Sequence, residues 1–281
     1  MKRILKAVFL GEFSWGRVIR SLTLIPVAVC LGLLLIATFL PDRAIFRPQP
    51  SSYRDTADVI KIRTADGETI SARFYENQNA AYTILFSHGN AEDIGTNDPF
   101  AGGLRDLGFN VLAYDYRGYG TSEGSPSEEN AYADIDAAFD YLVVNKGISA
   151  DRMILHGRSL GGAVAADLAT RKKVAGLILE STFTTAFRVV TRYPIIPFDR
   201  FKSIDKIGAV RCPVLVIHGS DDWTIPVYHG ERLFEAANEP KTALWVERAG
   251  HNDLFYKDQQ RYLSTIAEFA NSLERLDLIS N

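Results

Sequence analysis

A chain of 281 residues that is 47% hydrophobic and 23% charged can build one large core or at most two ordinary domains and does not have the composition of a disordered chain. Its formal charge of −3, with no dense run of Lys or Arg, leaves no electrostatic footprint for a nucleic-acid partner. Cys30 lies in an apolar amino-terminal run and Cys212 at the start of a core strand, so a disulfide between them is not expected.

Residues 1–21 form a basic leader in which Phe9, Phe13 and Trp15 sit among Lys2, Arg3, Lys6, Arg17 and Arg20, a composition suited to a membrane surface. Residues 22–40 are uncharged and, as a helix, long enough to cross a hydrocarbon layer of roughly 30 Å. The basic excess ahead of this run, against Arg43, Arg47 and Arg54 behind it, predicts a single-pass membrane protein with a cytoplasmic amino terminus and the rest of the chain on the non-cytoplasmic side. The length of the leader and the lack of a small-x-small cleavage site favour a retained anchor over a signal peptide. Residues 41–54, rich in Pro, Arg and Ser, read as a tether, and the folded domain is expected over 55–281.

Residues 59–63 and 69–75 alternate in polarity around Ala65-Asp66-Gly67, which predicts an antiparallel hairpin. Beyond it, residues 82–87, 109–114, 153–156, 174–179, 214–217 and 243–246 have no polar face, as strands buried on both sides require. Helical patterns fall between most of them, at 99–107, 128–144, 160–170, 230–237 and 260–276. The class is therefore an α/β sandwich on a mostly parallel sheet. A cap-like insertion over 182–205 breaks the rhythm with Phe183, Phe187, Tyr193, Ile195, Ile196, Phe198 and Phe201. It reads equally as an apolar roof, with Phe183, Phe187, Tyr193 and Phe198 as substrate contacts, or as a lateral element packed on the core.

The chemistry centres on Gly157-Arg-Ser159-Leu-Gly161, a Gly-x-Ser-x-Gly pentapeptide between a predicted strand and a predicted helix. On such a turn the serine is strained and pushed above the sheet edge, where the helix amino terminus favours an oxyanion. A serine hydroxyl needs a base and the base needs a carboxylate, expected here in the order Ser, Asp or Glu, His. His218 and His229 fall at a strand end and a helix start, whereas His251 falls on a loop after the last strand and is the candidate base. Asp221 and Asp222 compete as the carboxylate. Backbone N–H groups of Leu160 and Asn90 are the candidate oxyanion donors, with His88 shaping the loop. Gly118, Gly120 and Gly124 lack the Gly-x-Gly-x-x-Gly spacing and read as a loop shaping the site. With no His-Glu-x-x-His or Cys pair, neither a metal nor another cofactor is expected.

Five motifs, taken together, carry a resemblance: Gly157-Arg-Ser-Leu-Gly-Gly162, His88-Gly-Asn-Ala-Glu92, Asp115-Tyr-Arg-Gly-Tyr-Gly120, His218-Gly-Ser-Asp-Asp222 followed by Ile225-Pro226, and Gly250-His251. Over roughly residues 45–275 the chain resembles the α/β-hydrolases, most of all an amino-terminally anchored branch with depalmitoylase-like and bud-emergence-type members, often described as serine-aminopeptidase-like. The resemblance implies an α/β-hydrolase fold and a Ser159–Asp222–His251 triad, its His-Gly-x-x-Asp pattern favouring Asp222 over Asp221. The expected function is cleavage of an acyl ester or thioester at a membrane through an acyl-enzyme, with a lipid-like or small acyl substrate. The alternatives are a serine aminopeptidase and a non-catalytic membrane-tethered scaffold.

Overall fold

The computed structural model describes residues 15–39, 41–191 and 198–280. Eight strands form one sheet: β1 (Ile60–Arg63), β2 (Thr69–Tyr75), β3 (Thr83–Ser87), β4 (Asn110–Tyr114), β5 (Met153–Arg158), β6 (Gly176–Glu180), β7 (Val214–Gly219) and β8 (Lys241–Val246). Their spatial order is β1-β2-β4-β3-β5-β6-β7-β8. The β1–β2 and β2–β4 pairs are antiparallel and every later pair is parallel, as the alternating hairpin and the all-apolar strands predict.

Two cores lie on opposite faces of this sheet because successive strand residues point opposite ways. Leu85 and Leu155 face one core, with the helices Glu128–Val144 (α4), Leu160–Arg171 (α5), Ser203–Ile207 (α6) and Tyr228–Ala236 (α7). Ile84, Phe86 and Ile154 face the other, with Asp98–Asp106 (α3), Leu254–Lys257 (α8) and Gln259–Ser280 (α9). The short α6 and α8 have no sequence periodicity long enough to announce them. The chain steps outward from β3 to β4 and then crosses back to β5, opening a crevice at the carboxyl ends of β3 and β5, where open α/β sheets bind their ligands.

Two amino-terminal helices, α1 (Trp15–Phe39) and α2 (Pro41–Ile45), precede the sheet. In α1 the side chains of Leu22, Leu24, Ile25, Val27, Val29, Leu31 and Leu35 are exposed. Among the described residues no helix is long and apolar enough to cross a membrane. The expected span over 22–40 is therefore corrected: residues 22–39 belong to α1, whose named apolar side chains are exposed, and residue 40 lies outside the described residues. Most of the leader, with Phe9 and Phe13, lies outside the described residues.

The expected tether over 41–54 also needs correction, because it is packed rather than loose. Phe46 is buried edge-on against Tyr119 and Phe201, and burying such a ring contributes roughly 1.5–3 kcal/mol. Ser52 donates from both N–H and Oγ to Asp93, and Tyr53 Oη donates to Asp115 Oδ2 at 2.6 Å. Single anchoring side chains of this kind leave no period in the sequence. Cys30 and Cys212 are both free.

Candidate active site

Parallel pairing sets Ser87 beside Gly157, so the loop after β3 and the turn after β5 leave the sheet side by side. Ser159 occupies that turn with φ 53° and ψ −116°, a conformation that costs of order 1–3 kcal/mol and persists only where packing over-determines it. Its surroundings leave no room for relaxation. A Cβ at Gly157 would lie 2.2 Å from the Gly161 carbonyl oxygen, and one at Gly161 would lie 2.0 Å from the Ser87 carbonyl oxygen. Ser159 N–H donates to Glu180 O at 2.8 Å, tying the turn to β6.

Three side chains from separate loops meet here. Ser159 Oγ lies 3.1 Å from His251 Nε2, and His251 Nδ1 lies 2.7 Å from Asp222 Oδ2. The carboxylate accepts Nδ1–H, which assigns the tautomer and leaves Nε2 free to accept from the serine hydroxyl. Asp222 Oδ1 accepts from the N–H groups of Thr224 and Ile225 at 2.9 and 2.7 Å. Burial alone would raise the Asp222 pKa. His218, His251 and the Ile225 N–H together outweigh burial and hold it well below the usual carboxylate range. Asp221, in contrast, is exposed and accepts only from the neighbouring Ser220 hydroxyl among its described side-chain bonds.

The other histidines are engaged elsewhere. His218 donates from Nε2 to Ile225 O at 2.8 Å, and its ring is fully buried. His229 is held by Thr184, and burial together with the nearby His218 pushes its pKa down to about 4. His88 donates from Nδ1 to Gly89 O, while Tyr116 Oη donates to His88 O, so His88 shapes the loop after β3. In the glycine-rich loop Gly118, Gly120 and Gly124 all have positive φ and fold the chain around the buried Tyr116 and Tyr119.

Ser159 and His251 open onto a cavity of about 580 Å³. Leu160 and Asn90 border it. Leu160 begins α5, so its N–H is one of the first-turn donors with no acceptor inside the helix. Phe183 and Phe187 line the apolar wall, joined by Val190 of the insertion and Leu33 of α1. Phe198 instead stands edge-on behind Phe187, their ring centroids 6.3 Å apart, and Phe201 belongs to the core. Tyr193, Ile195 and Ile196 lie outside the described residues. Among the described residues no cluster of three or more His, Cys, Asp or Glu is placed to hold a metal.

Sequence reasoning misses Arg158, although it sits inside the pentapeptide. Its guanidinium reaches Glu92 at 3.3 Å, Asn252 at 3.2 Å and Glu180 at 3.8 Å, and so touches the loops on either side of Ser159. Glu92 in turn accepts from Gly89 N–H at 3.1 Å. The signal available was a charged residue beside a nucleophile, but of its three partners Glu92 lies 66 positions before it and Asn252 94 positions after it.

Residues 78–203 match the family described as serine aminopeptidase, S33. The chain is 43% identical over 225 residues to α/β hydrolase domain-containing protein 17B of Xenopus tropicalis, covering 78% of this chain and 77% of that one. Against the Homo sapiens protein of the same name it is 41% identical over 227 residues, 79% of this chain and 77% of the other. Among solved structures it superposes on the Pyrococcus furiosus esterase Pf2001 with a TM-score of 0.68 at 19% identity, over 80% of this chain and 98% of the esterase. The Rhodococcus esterase RhEst1 gives 0.61 at 21% identity, over 77% and 99%. At these identities the solved structures establish the fold, and the fold is the α/β-hydrolase fold expected from the motifs. By its sequence relatives the chain is a hydrolase that belongs to the α/β hydrolase domain-containing protein 17 family, within the branch its motifs resemble.

Proposed function

We propose that this hydrolase is a serine esterase or thioesterase acting on acyl groups. The supporting observation is the continuous line from Asp222 through His251 to Ser159 Oγ, opening onto a cavity walled largely by Leu33, Ile45, Phe183, Phe187, Val190 and Ile225. His251 Nε2 takes the hydroxyl proton as Ser159 Oγ attacks the acyl carbonyl, and Asp222 steadies the imidazolium. The N–H groups of Leu160 and Asn90 stabilise the oxyanion. The alcohol or thiol leaves with the proton from His251, and a water deprotonated by the same nitrogen then releases the acid from the acyl-enzyme. No cofactor enters this sequence.

The aminopeptidase alternative requires a carboxylate to hold the substrate's α-ammonium. Among the described residues lining the cavity the acid is Glu92, and it is already engaged by Arg158 and Gly89 N–H. The apolar wall favours the acyl substrate. Each buried methylene contributes about 0.8 kcal/mol, so lengthening the acyl chain by two carbons is expected to raise kcat/KM by about 15-fold until the cavity is full. A serine-directed fluorophosphonate labels wild type and not Ser159→Ala. Labelling that persists in the variant, or a flat chain-length series with rapid cleavage of amino-acid anilides, overturns the proposal.

Attachment to a membrane belongs to the same proposal and is supported by the exposed apolar side chains of α1, whose Leu33 also borders the cavity. The expected outcome of fractionation is that the protein sediments with membranes and is extracted by detergent rather than by high salt, and recovery in the supernatant without detergent would overturn the attachment. Protease added to sealed vesicles of known orientation reports which side carries the hydrolase domain.

A further inference from the structure

The loop that follows β3 is fastened to the chain segment that leaves the apolar helix. The fastening is made by one carboxamide. Asn90 Nδ2 donates to Ile45 O at 2.5 Å, and Asn90 Oδ1 accepts from Arg47 N–H at 2.9 Å. Ile45 ends α2 and Arg47 lies two residues beyond it, and the Asn90 amide takes up the C=O of the first and the N–H of the second as the chain leaves the helix. A carboxamide supplies both the donor and the acceptor this requires, and a carboxylate supplies only acceptors. Tyr119 closes the latch, donating to Asn90 Oδ1 at 2.6 Å with its Oη also 3.1 Å from Arg47 N. Between the two paired residues, Phe46 is plugged into the core against Tyr119 and Phe201.

The same amide reaches back into its own loop. Asn90 Oδ1 also accepts from Ala91 N–H at 3.1 Å, and Ala91 holds a φ of 64° without being glycine. A non-glycine residue keeps that conformation only where its neighbours enforce it. Ile45, Arg47, Asn90 and Ala91 all border the cavity that contains Ser159.

We propose that the Asn90 side chain is a positioning residue: by latching onto Ile45 and Arg47 it fixes the backbone that carries the second oxyanion donor. Docking of the segment after α1 thus becomes part of the catalytic geometry. The inference rests on the serine-hydrolase proposal, in which Asn90 N–H is that donor.

The test uses the full chain in one detergent, with Tyr119→Phe, Asn90→Ala, Asn90→Asp and the Tyr119→Phe/Asn90→Ala double variant. Active sites are counted by fluorophosphonate titration, and Tm reports folding. A single oxyanion donor is worth about 10²–10³ in kcat, so a donor left in place but loosely held is expected to cost about 10- to 100-fold in Asn90→Ala. Tyr119→Phe loses several-fold, Asn90→Asp fails to rescue, and KM stays within about threefold because the interaction is made in the transition state. Affinity for a trifluoromethyl ketone, whose hemiketal oxygen occupies the oxyanion position, falls in parallel with kcat/KM. The double variant is no worse than Asn90→Ala, since both act through one latch. Turnover per active site within twofold of wild type in Asn90→Ala, an unchanged ketone affinity, or additive losses would each overturn the inference. If Asn90→Ala does not fold, Tyr119→Phe decides by the same criteria. A wild type that takes no fluorophosphonate refutes the serine-hydrolase proposal itself, whereas a labelled, active wild type matched by its variants refutes the latch alone.

Discussion

Of the histidine–carboxylate pairs in the described residues, two bear on the Ser159 turn, and their distances are nearly the same. His251 Nδ1 is 2.7 Å from Asp222, and His156 Nε2 is 2.9 Å from Glu180. They differ in what surrounds the imidazole. The His251 side chain is 12% exposed and turns its second nitrogen to the serine hydroxyl. His156 is fully buried edge-on against the rings of Phe86 and Phe100, and its second nitrogen meets no polar partner among the described residues. Both carboxylates stay ionised at neutral pH. Burial would raise Glu180, yet its bonds from His156 and Tyr262 and the charge of Arg158 bring it down to about 2. Pair geometry alone therefore does not mark an acid–base site; access and the second nitrogen do. The sealed pair instead anchors Arg158, which steadies the loops around the open one.

The sharpest way to break this contrast is through the carboxylates. Asp222→Asn is expected to lower kcat by about 10⁴, the cost of the equivalent change in a serine protease, while Asp221→Asn stays close to wild type. Steady-state kinetics on the two variants check this, and a reversed order would remove His251–Asp222 from the chemistry. Glu180→Gln should separate stability from turnover. Breaking a buried pair costs about 3–5 kcal/mol, seen as a lower denaturant midpoint, with turnover per labelled site falling by no more than about tenfold. A loss of the Asp222→Asn size would mean that the sealed pair takes part in proton transfer.

The smallest effect concerns pH. His229 titrates near 4 when folded, below its ordinary value, so the folded state binds this proton less readily than the unfolded chain. Its contribution to stability is complete above about 6.5 and is lost as pH falls toward about 4. His229→Gln should therefore lose fewer degrees of Tm than wild type between those pH values, measured by thermal melts. An identical pH slope in both proteins would show that the ring is not buried as a neutral group.

Much of this architecture is legible in the sequence, for reasons that differ by region. The strand–helix alternation is local, and each strand betrays its double burial by an unbroken apolar run. Ser159 and His251 are legible because a glycine-framed turn and a histidine after the last strand are local patterns too. Asp222 is separated from Asp221 only by the family motif, since both residues fit the same loop chemistry. The docking of residues 41–54 and the reach of Arg158 are not legible. They depend on pairings such as Arg47 with Tyr119 and Arg158 with Asn252, between residues that no spacing rule connects. Phe201 illustrates the same limit: its composition fits a roof, while its surroundings make it core.

The proposed nucleophile, carboxylate and base leave the sheet after β5, β7 and β8, so the groups are made in that order as the chain is synthesised. A nascent chain that has already emerged through β6 displays Ser159 without a partner, and Asp222 follows with no imidazole to orient. Domains fold as units, and here the proposed base lies on the loop that follows the last strand of the sheet to be made. On the proposed mechanism, hydrolytic activity is therefore withheld until residue 251 has been made, and a message broken anywhere before His251 encodes a product without the base.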